Sequence, residues 1–234
     1  MKLAGKAEVV LHNTMCLIGG FIGVYAIINR GGNLASAQTL NMISIVLALC
    51  GRNFIECLIR VVALLIYISG VFLCSILSHK TKINMQRYAL TIDMIGFITL
   101  CFIPENVNDF FALYPVFFMI STQWSVFHGT NGYNCSTIFS TNNLRQTILA
   151  IGDYICTKDR ESLKKAGFYA NSILCFHIGV AIAYFTSLAF GIYSVLFCFI
   201  PALFSMLITF RNSKLFTSVR FGKKKNKKLE EIKN

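Results

Sequence analysis

The chain has 234 residues, of which 55% are apolar and only 14% charged, and its mean hydropathy is +0.62. Soluble domains carry about 25% charged residues, so the composition excludes an ordinary soluble enzyme or binding module and points to a polytopic membrane protein. The formal net charge of +12 does not indicate nucleic acid. Nine of the 22 Lys and Arg lie from Arg211 onward, and a basic tail beside a final span is the usual cytoplasmic anchor on anionic lipid, about 1 kcal/mol per charge.

The length predicts a single all-α transmembrane domain over residues 1–210, with a basic cytoplasmic tail over 211–234 and spans of roughly 20 residues. Lys2 and Lys6 precede an apolar run like that of a signal peptide, but it holds His12 and Asn13, extends to about residue 28 and shows no cleavage motif. It is therefore expected to stay as the first span, residues 9–28. A polar stretch follows, Gly31-Gly32-Asn33-Leu34-Ala35-Ser36-Ala37-Gln38-Thr39-Leu40-Asn41, which leads into a short apolar run over 42–50. A connector with Arg52, Glu56 and Arg60 introduces the span 58–77. The basic loop with Lys80, Lys82 and Arg87 precedes the span 88–103, whose Asp93 is expected to pair with Arg87. An acidic turn, Pro104-Glu105-Asn106-Val107-Asn108-Asp109, leads to the span 110–127.

A second polar stretch then appears, Tyr133-Asn134-Cys135-Ser136-Thr137-Ile138-Phe139-Ser140-Thr141-Asn142-Asn143, and it too leads into a short apolar run, 148–155. A mostly basic loop over 158–165 precedes two last spans, 168–188 and 192–210, on either side of a turn near Gly191. Uninterrupted apolar runs of this length leave helices as the only elements that satisfy their own backbone in lipid. Gly70 and Gly179 fall in corresponding spans of the two halves, where small residues let helices approach closely.

If neither polar stretch crosses the membrane, there are six spans, and 19 Lys and Arg lie inside against 3 outside; if both cross, the division is 18 to 4. The positive-inside rule thus places both termini in the cytoplasm but barely separates the two arrangements. Each polar stretch has too short an apolar run to cross alone, and six spans put Glu105 and Asp109 outside, so broken or re-entrant elements are predicted. Sliding the chain by 102 residues aligns Val24 with Val126, Asn29 with Asn131, Thr39 with Thr141, Asn41 with Asn143, Leu47 with Leu149 and Ala48 with Ala150. The halves, about 9–103 and 110–210, would then be an inverted repeat. Such repeats, with broken helices meeting near the midplane, are the design of many secondary transporters. Unwound backbone and half-helix N-termini offer free N–H groups and partial positive charge to a solute.

The runs Gly19-Gly20-Phe21-Ile22-Gly23-Val24-Tyr25-Ala26, Asn29-Arg30-Gly31-Gly32 and Ala35-Ser36-Ala37-Gln38-Thr39-Leu40-Asn41 resemble the YoaK-like family of small bacterial membrane proteins. Gln123, Asn131-Gly132 and Ser140-Thr141-Asn142-Asn143-Leu144-Arg145 continue the likeness in the second half, so that it covers about residues 10–210. The resemblance implies a bacterial inner-membrane location and a fold, but no molecular activity. Val24 stands where the family has Asp, which argues against proton or cation coupling there. Leu40 and Asn142 stand where it has Gly, which loosens the turns at the half-helix starts.

The residues expected to line a solute path are Ser36, Thr39, Asn41, Gln123, Ser140, Thr141, Asn143 and Arg145. The competing role for the Ser, Thr and Asn is helix capping and interhelical hydrogen bonding. Arg145 would favour an anion if it lies at membrane depth, or would reach to the surface as long basic side chains do. His12, His128 and His177 are candidates for proton relay or for plain packing; Gln123-Trp124 reads as an interfacial belt pair, with a site role as the alternative for Gln123. The nine cysteines are scattered without ligand or CxxC spacing, so neither metal, disulfide nor cofactor is expected. No Ser/His/Asp set, HExxH or phosphate-binding glycine loop suggests an enzyme. The expected function is passage of a small solute, an anion being one candidate, and the alternative is a non-transport assembly or envelope-maintenance protein. The expected partners are the lipid bilayer and a small-molecule or ion substrate, with no nucleic acid; a homo-oligomer stays open.

Overall fold

The computed structural model describes residues 2–130 and 132–212. Asn131 and nearly all of the basic tail lie outside the described residues. The elements are α1 (Lys2–Asn29), α2 (Gln38–Cys50), α3 (Phe54–Lys80), α4 (Met85–Phe102), α5 (Asp109–Ala112), α6 (Tyr114–Val126), the two-residue strands β1 (Gly129–Thr130) and β2 (Tyr133–Asn134), α7 (Thr141–Thr157), α8 (Arg160–Phe190), a 3-10 helix (Gly191–Cys198) and α9 (Phe199–Arg211). The all-α class holds. The exception among the described residues is the small antiparallel ladder Gly129↔Asn134 and Thr130↔Tyr133.

Local chemistry sets most helix ends. Asn53, Asn84, Asn108 and Asp159 each accept a backbone N–H from the first turn of the helix they precede, which satisfies donors that a helix start leaves free. Helix α1 runs out at Gly31 and Gly32, both with positive φ, a conformation that costs glycine little. The expected span 110–127 is instead two pieces, α5 and α6. Pro115 sits in the first turn of α6, where its ring is tolerated, whereas inside a continuous helix it would remove a bond and clash with the preceding turn.

Three stretches are long and apolar enough to cross a membrane: Gly5–Asn29, Phe54–Lys80 and the 52-residue stretch Arg160–Arg211. At 1.5 Å per residue the last would extend for about 78 Å, more than twice the ~30 Å hydrocarbon core. It is broken at Gly191, where φ is positive, and the Ser187 and Ser194 hydroxyls meet across the break at 3.1 Å. Helix α2, with 13 residues, is only about 20 Å long. The exposed side chains are largely apolar, Phe54, Ile55, Phe72, Phe102, Phe185 and Ile200 among them, while Ser121, Thr122, Gln123, Asn143, Ser172 and Ser194 are buried. Apolar outside and hydrogen-bonded polar groups inside is the arrangement lipid demands.

Helix α1 packs on α8 and α9, and α3 packs on α6. Helix α2 lies on α3, α7 on α8, and α4 on α6. Glycines permit close approach in two of these pairings, α1 on α8 and α3 on α6. A Cβ at Gly20 would strike the Phe176 backbone, one at Gly179 the Leu17 carbonyl, and one at Gly70 the Ser121 hydroxyl. Gly70 and Gly179 therefore serve the close packing expected of them.

Candidate functional site

The two Thr-x-Asn pairs fall in the first turns of α2 and α7, and within each pair the side chains part company. Two residues apart on a helix is about 200° around its axis, so if the Asn faces inward the Thr faces away. Asn143 is 2% exposed. Its Nδ2 donates to the Ser136 carbonyl at 2.7 Å, and its Oδ1 accepts from the Ser136 N–H at 3.1 Å. Asn41 is buried too and reaches the Ala35 carbonyl at 3.5 Å. Thr39 and Thr141 are exposed.

Gln123 belongs with the asparagines. It is buried, and its Nε2 donates to the Met15 carbonyl at 2.9 Å and to Thr137 Oγ1 at 3.1 Å. The segment 135–138 is buried between these bonds, and the Thr137 carbonyl lies against Gly19, where any Cβ would collide with it. The second polar stretch is thus inserted into the bundle and stapled there by Gln123, Asn143 and the missing side chain of Gly19. Ser140 is half-buried, with a hydroxyl that has no hydrogen-bond partner among the described residues.

The two polar stretches converge on one cavity of about 360 Å³. Ser36, Gln38 and Thr39 line it from the first stretch, and Phe139 and Thr141 from the second. Tyr67 of α3 and Trp124 of α6 complete the wall, with the indole set edge-on to Phe139 at 5.4 Å between ring centroids. The N-termini of α2 and α7 both reach this cavity, and neither carries a side-chain cap. Free first-turn N–H groups and the positive end of the helix dipole make such termini ready acceptors of anionic or carbonyl-like groups. Of the eight residues expected at a path, Ser36, Thr39 and Thr141 line the cavity, while Asn41, Gln123, Ser140, Asn143 and Arg145 do not. Arg145 is exposed on α7.

Four residues, Arg30, Asp93, Trp124 and Tyr67, act otherwise than the sequence indicates. Arg30, expected in an outer loop, is 0% exposed; its Nη1 and Nη2 donate to the Pro104 and Ile103 carbonyls at 3.0 and 2.8 Å. It thereby satisfies the end of α4 from the end of α1. The hint lay in the adjacent Gly31-Gly32, which turns the chain back over this corner. Asp93 does not pair with Arg87. It is fully buried with both carboxyl oxygens unpartnered, while the Arg87 guanidinium donates to the Thr209 carbonyl at 2.9 Å and stacks over Phe210. Trp124 and Tyr67 line the cavity, a role that a belt position or an apolar stripe does not announce. His177 binds the carbonyl of Ile173 in its own helix, a packing arrangement.

Among the described residues no group of three or more His, Cys, Asp or Glu is placed to hold a metal. Residues 11–209 match a family described as protein of unknown function (DUF1275). Neither the curated proteins nor the solved structures give a match.

Proposed function

Since the chain belongs to the DUF1275 family, whose function is unknown, we propose its role from the geometry: passage of a small solute with an anionic or acceptor-rich group across a bacterial inner membrane. The observation that carries this reading is the cavity of about 360 Å³ where the uncapped N-termini of α2 and α7 meet Thr39, Thr141, Tyr67 and Trp124. No ionised side chain lines it, so the preference for negative charge comes from backbone N–H groups rather than from Arg145.

The reading includes six crossings (α1, α3, α4, the α5–α6 unit, α8 and α9), with α2 and α7 as broken elements and both termini in the cytoplasm. It also includes an inverted repeat that relates α1, α2, α3 and α4 to α6, α7, α8 and α9. The packing pattern supports this, because exchanging the two sets turns α1 on α8 into α6 on α3, α2 on α3 into α7 on α8, and α1 on α9 into α6 on α4, all of which are found. The finer likeness to the YoaK-like family, and a role other than that of an enzyme, belong to the same proposal.

A second reading has its own support. Asn143 and Gln123 staple the bundle through their side-chain hydrogen bonds, as an assembly or envelope-maintenance scaffold would need. Cysteine accessibility separates the two. In a background without the native cysteines, Thr39→Cys and Thr141→Cys are expected to react with membrane-impermeant thiol reagents at rates that change with candidate anionic solutes, while Asn143→Cys stays protected. Uniform protection of positions 36, 39, 140 and 141 in a folded protein would refute passage and leave the scaffold.

A further inference from the structure

A second cavity, of about 100 Å³, opens among the N-terminal part of α1, the start of α4 and the chain leaving α6. It shares no lining residue with the cavity at Thr39 and Thr141. Holding one water takes about 10–15 Å³ on this scale, so the space accommodates a small molecule. Glu8 and His12 of α1, Gln86 of α4, and His128 and Thr130 beyond α6 bring polar groups to it.

Three of these groups, Glu8, Gln86 and His12, present acceptors to it. Glu8 supplies a carboxylate whose Oε2 accepts from Thr130 Oγ1 at 3.0 Å, and among the described residues no cation lies within ion-pair distance of it. Gln86 Oε1 is buried without a donor, and so is His12 Nε2. His12 is 3% exposed and stacked on Phe168, ring centroids 5.5 Å apart, so its ring is held in place. Buried acceptors are normally paired, yet here two with no partner among the described residues border a single cavity, beside a carboxylate with no counter-ion among them. Among the described residues no group of three or more His, Cys, Asp or Glu is placed to hold a metal ion. A compact cation carrying several N–H donors meets every one of these features.

We infer that this cavity binds a small ammonium-type cation, ammonium itself or a primary amine. The Glu8 carboxylate supplies the charge. Gln86 Oε1 and His12 Nε2, with His12 as its Nδ1–H tautomer, accept N–H bonds. The site is separate from the solute path proposed above and does not depend on it.

The test is calorimetric titration of the full-length protein in detergent with ammonium chloride and methylammonium chloride, against tetramethylammonium chloride and sodium chloride. Saturable heat is expected from the first two alone, since tetramethylammonium has the charge without the donors. Glu8→Gln removes the charge and keeps an acceptor for Thr130; it is expected to weaken binding by about tenfold or more, as a charge-assisted hydrogen bond implies. Gln86→Leu gives a second comparison should Glu8→Gln not fold. The absence of saturable heat from a folded wild type would mean a cavity for water only and would overturn the inference. Equal binding of tetramethylammonium, or unchanged affinity in both variants, would also overturn it.

Discussion

Replacing Asn143 by Ala tests whether the second polar stretch is held by its asparagine or by its contact with the cavity. The substitution removes the acceptor from the Ser136 N–H and the donor from the Ser136 carbonyl, both in a residue only 6% exposed. Leaving a buried polar group unpaired costs about 1–3 kcal/mol, so two give about 2–6 kcal/mol. Hydrogen bonds within a membrane protein average nearer 0.6 kcal/mol when measured by double-mutant cycles, which for two bonds lowers the expected loss to about 1–4 kcal/mol. Thr141→Val is the control. That side chain is exposed and makes no hydrogen bond among the described residues, so its loss should stay within about 0.5 kcal/mol. Trp124, the only tryptophan, lies against Phe139 at the edge of the stapled segment. Its fluorescence during unfolding in mixed micelles reads both variants. If Asn143→Ala unfolds within about 0.5 kcal/mol of the wild type, or Thr141→Val costs as much, the division into a stapling asparagine and a solute-facing threonine is wrong.

Arg30→Lys is expected to lose about 2–3 kcal/mol, because a single ammonium cannot reproduce the two-armed bond to Ile103 and Pro104 and the site is fully buried; the same unfolding assay measures it. Gly179→Val should abolish a monodisperse folded species on size exclusion, since its side chain would meet the Leu17 carbonyl of α1. Gly152→Ala, with nothing within 4 Å of the added carbon, should instead raise stability by about 0.5–1 kcal/mol. Hydrogen bonds from the Glu161 backbone N–H, and then from Ser162, hold the Asp159 carboxyl below its ordinary range. A depressed acid stabilises the folded state above its unfolded pKa, and that contribution is lost as pH falls through the folded value. Asp159→Ala should therefore flatten the acid side of a plot of unfolding midpoint against pH.

Much of this protein is legible in its sequence. Charge scarcity and the length of the apolar runs decide a membrane-type helical molecule, because in lipid a backbone must satisfy itself. The two Thr-x-Asn pairs stand in the first turns of their helices, as the polar-to-apolar switch indicates, and Gly70 and Gly179 lie where helices close up. The break before α6 was written in Pro115 but is masked by the apolar residues around it.

What periodicity could not supply is the identity of the neighbour. A 3.6-residue repeat says that Asn143 and Thr141 face different ways, but not which way holds a cavity. Gln123 meets the Met15 carbonyl across 108 positions of sequence, and Asn29 meets Ser187 across 158. Arg30 is buried because the end of α4 comes to lie beside it, an encounter that no local property of Arg30 contains. Composition and local chemistry determine which helices exist and where they start, since those are short-range matters of hydrogen bonding and solvation. Which polar groups are consumed in holding the bundle and which are left facing a cavity is settled only when the helices pack, because pairing depends on what stands opposite.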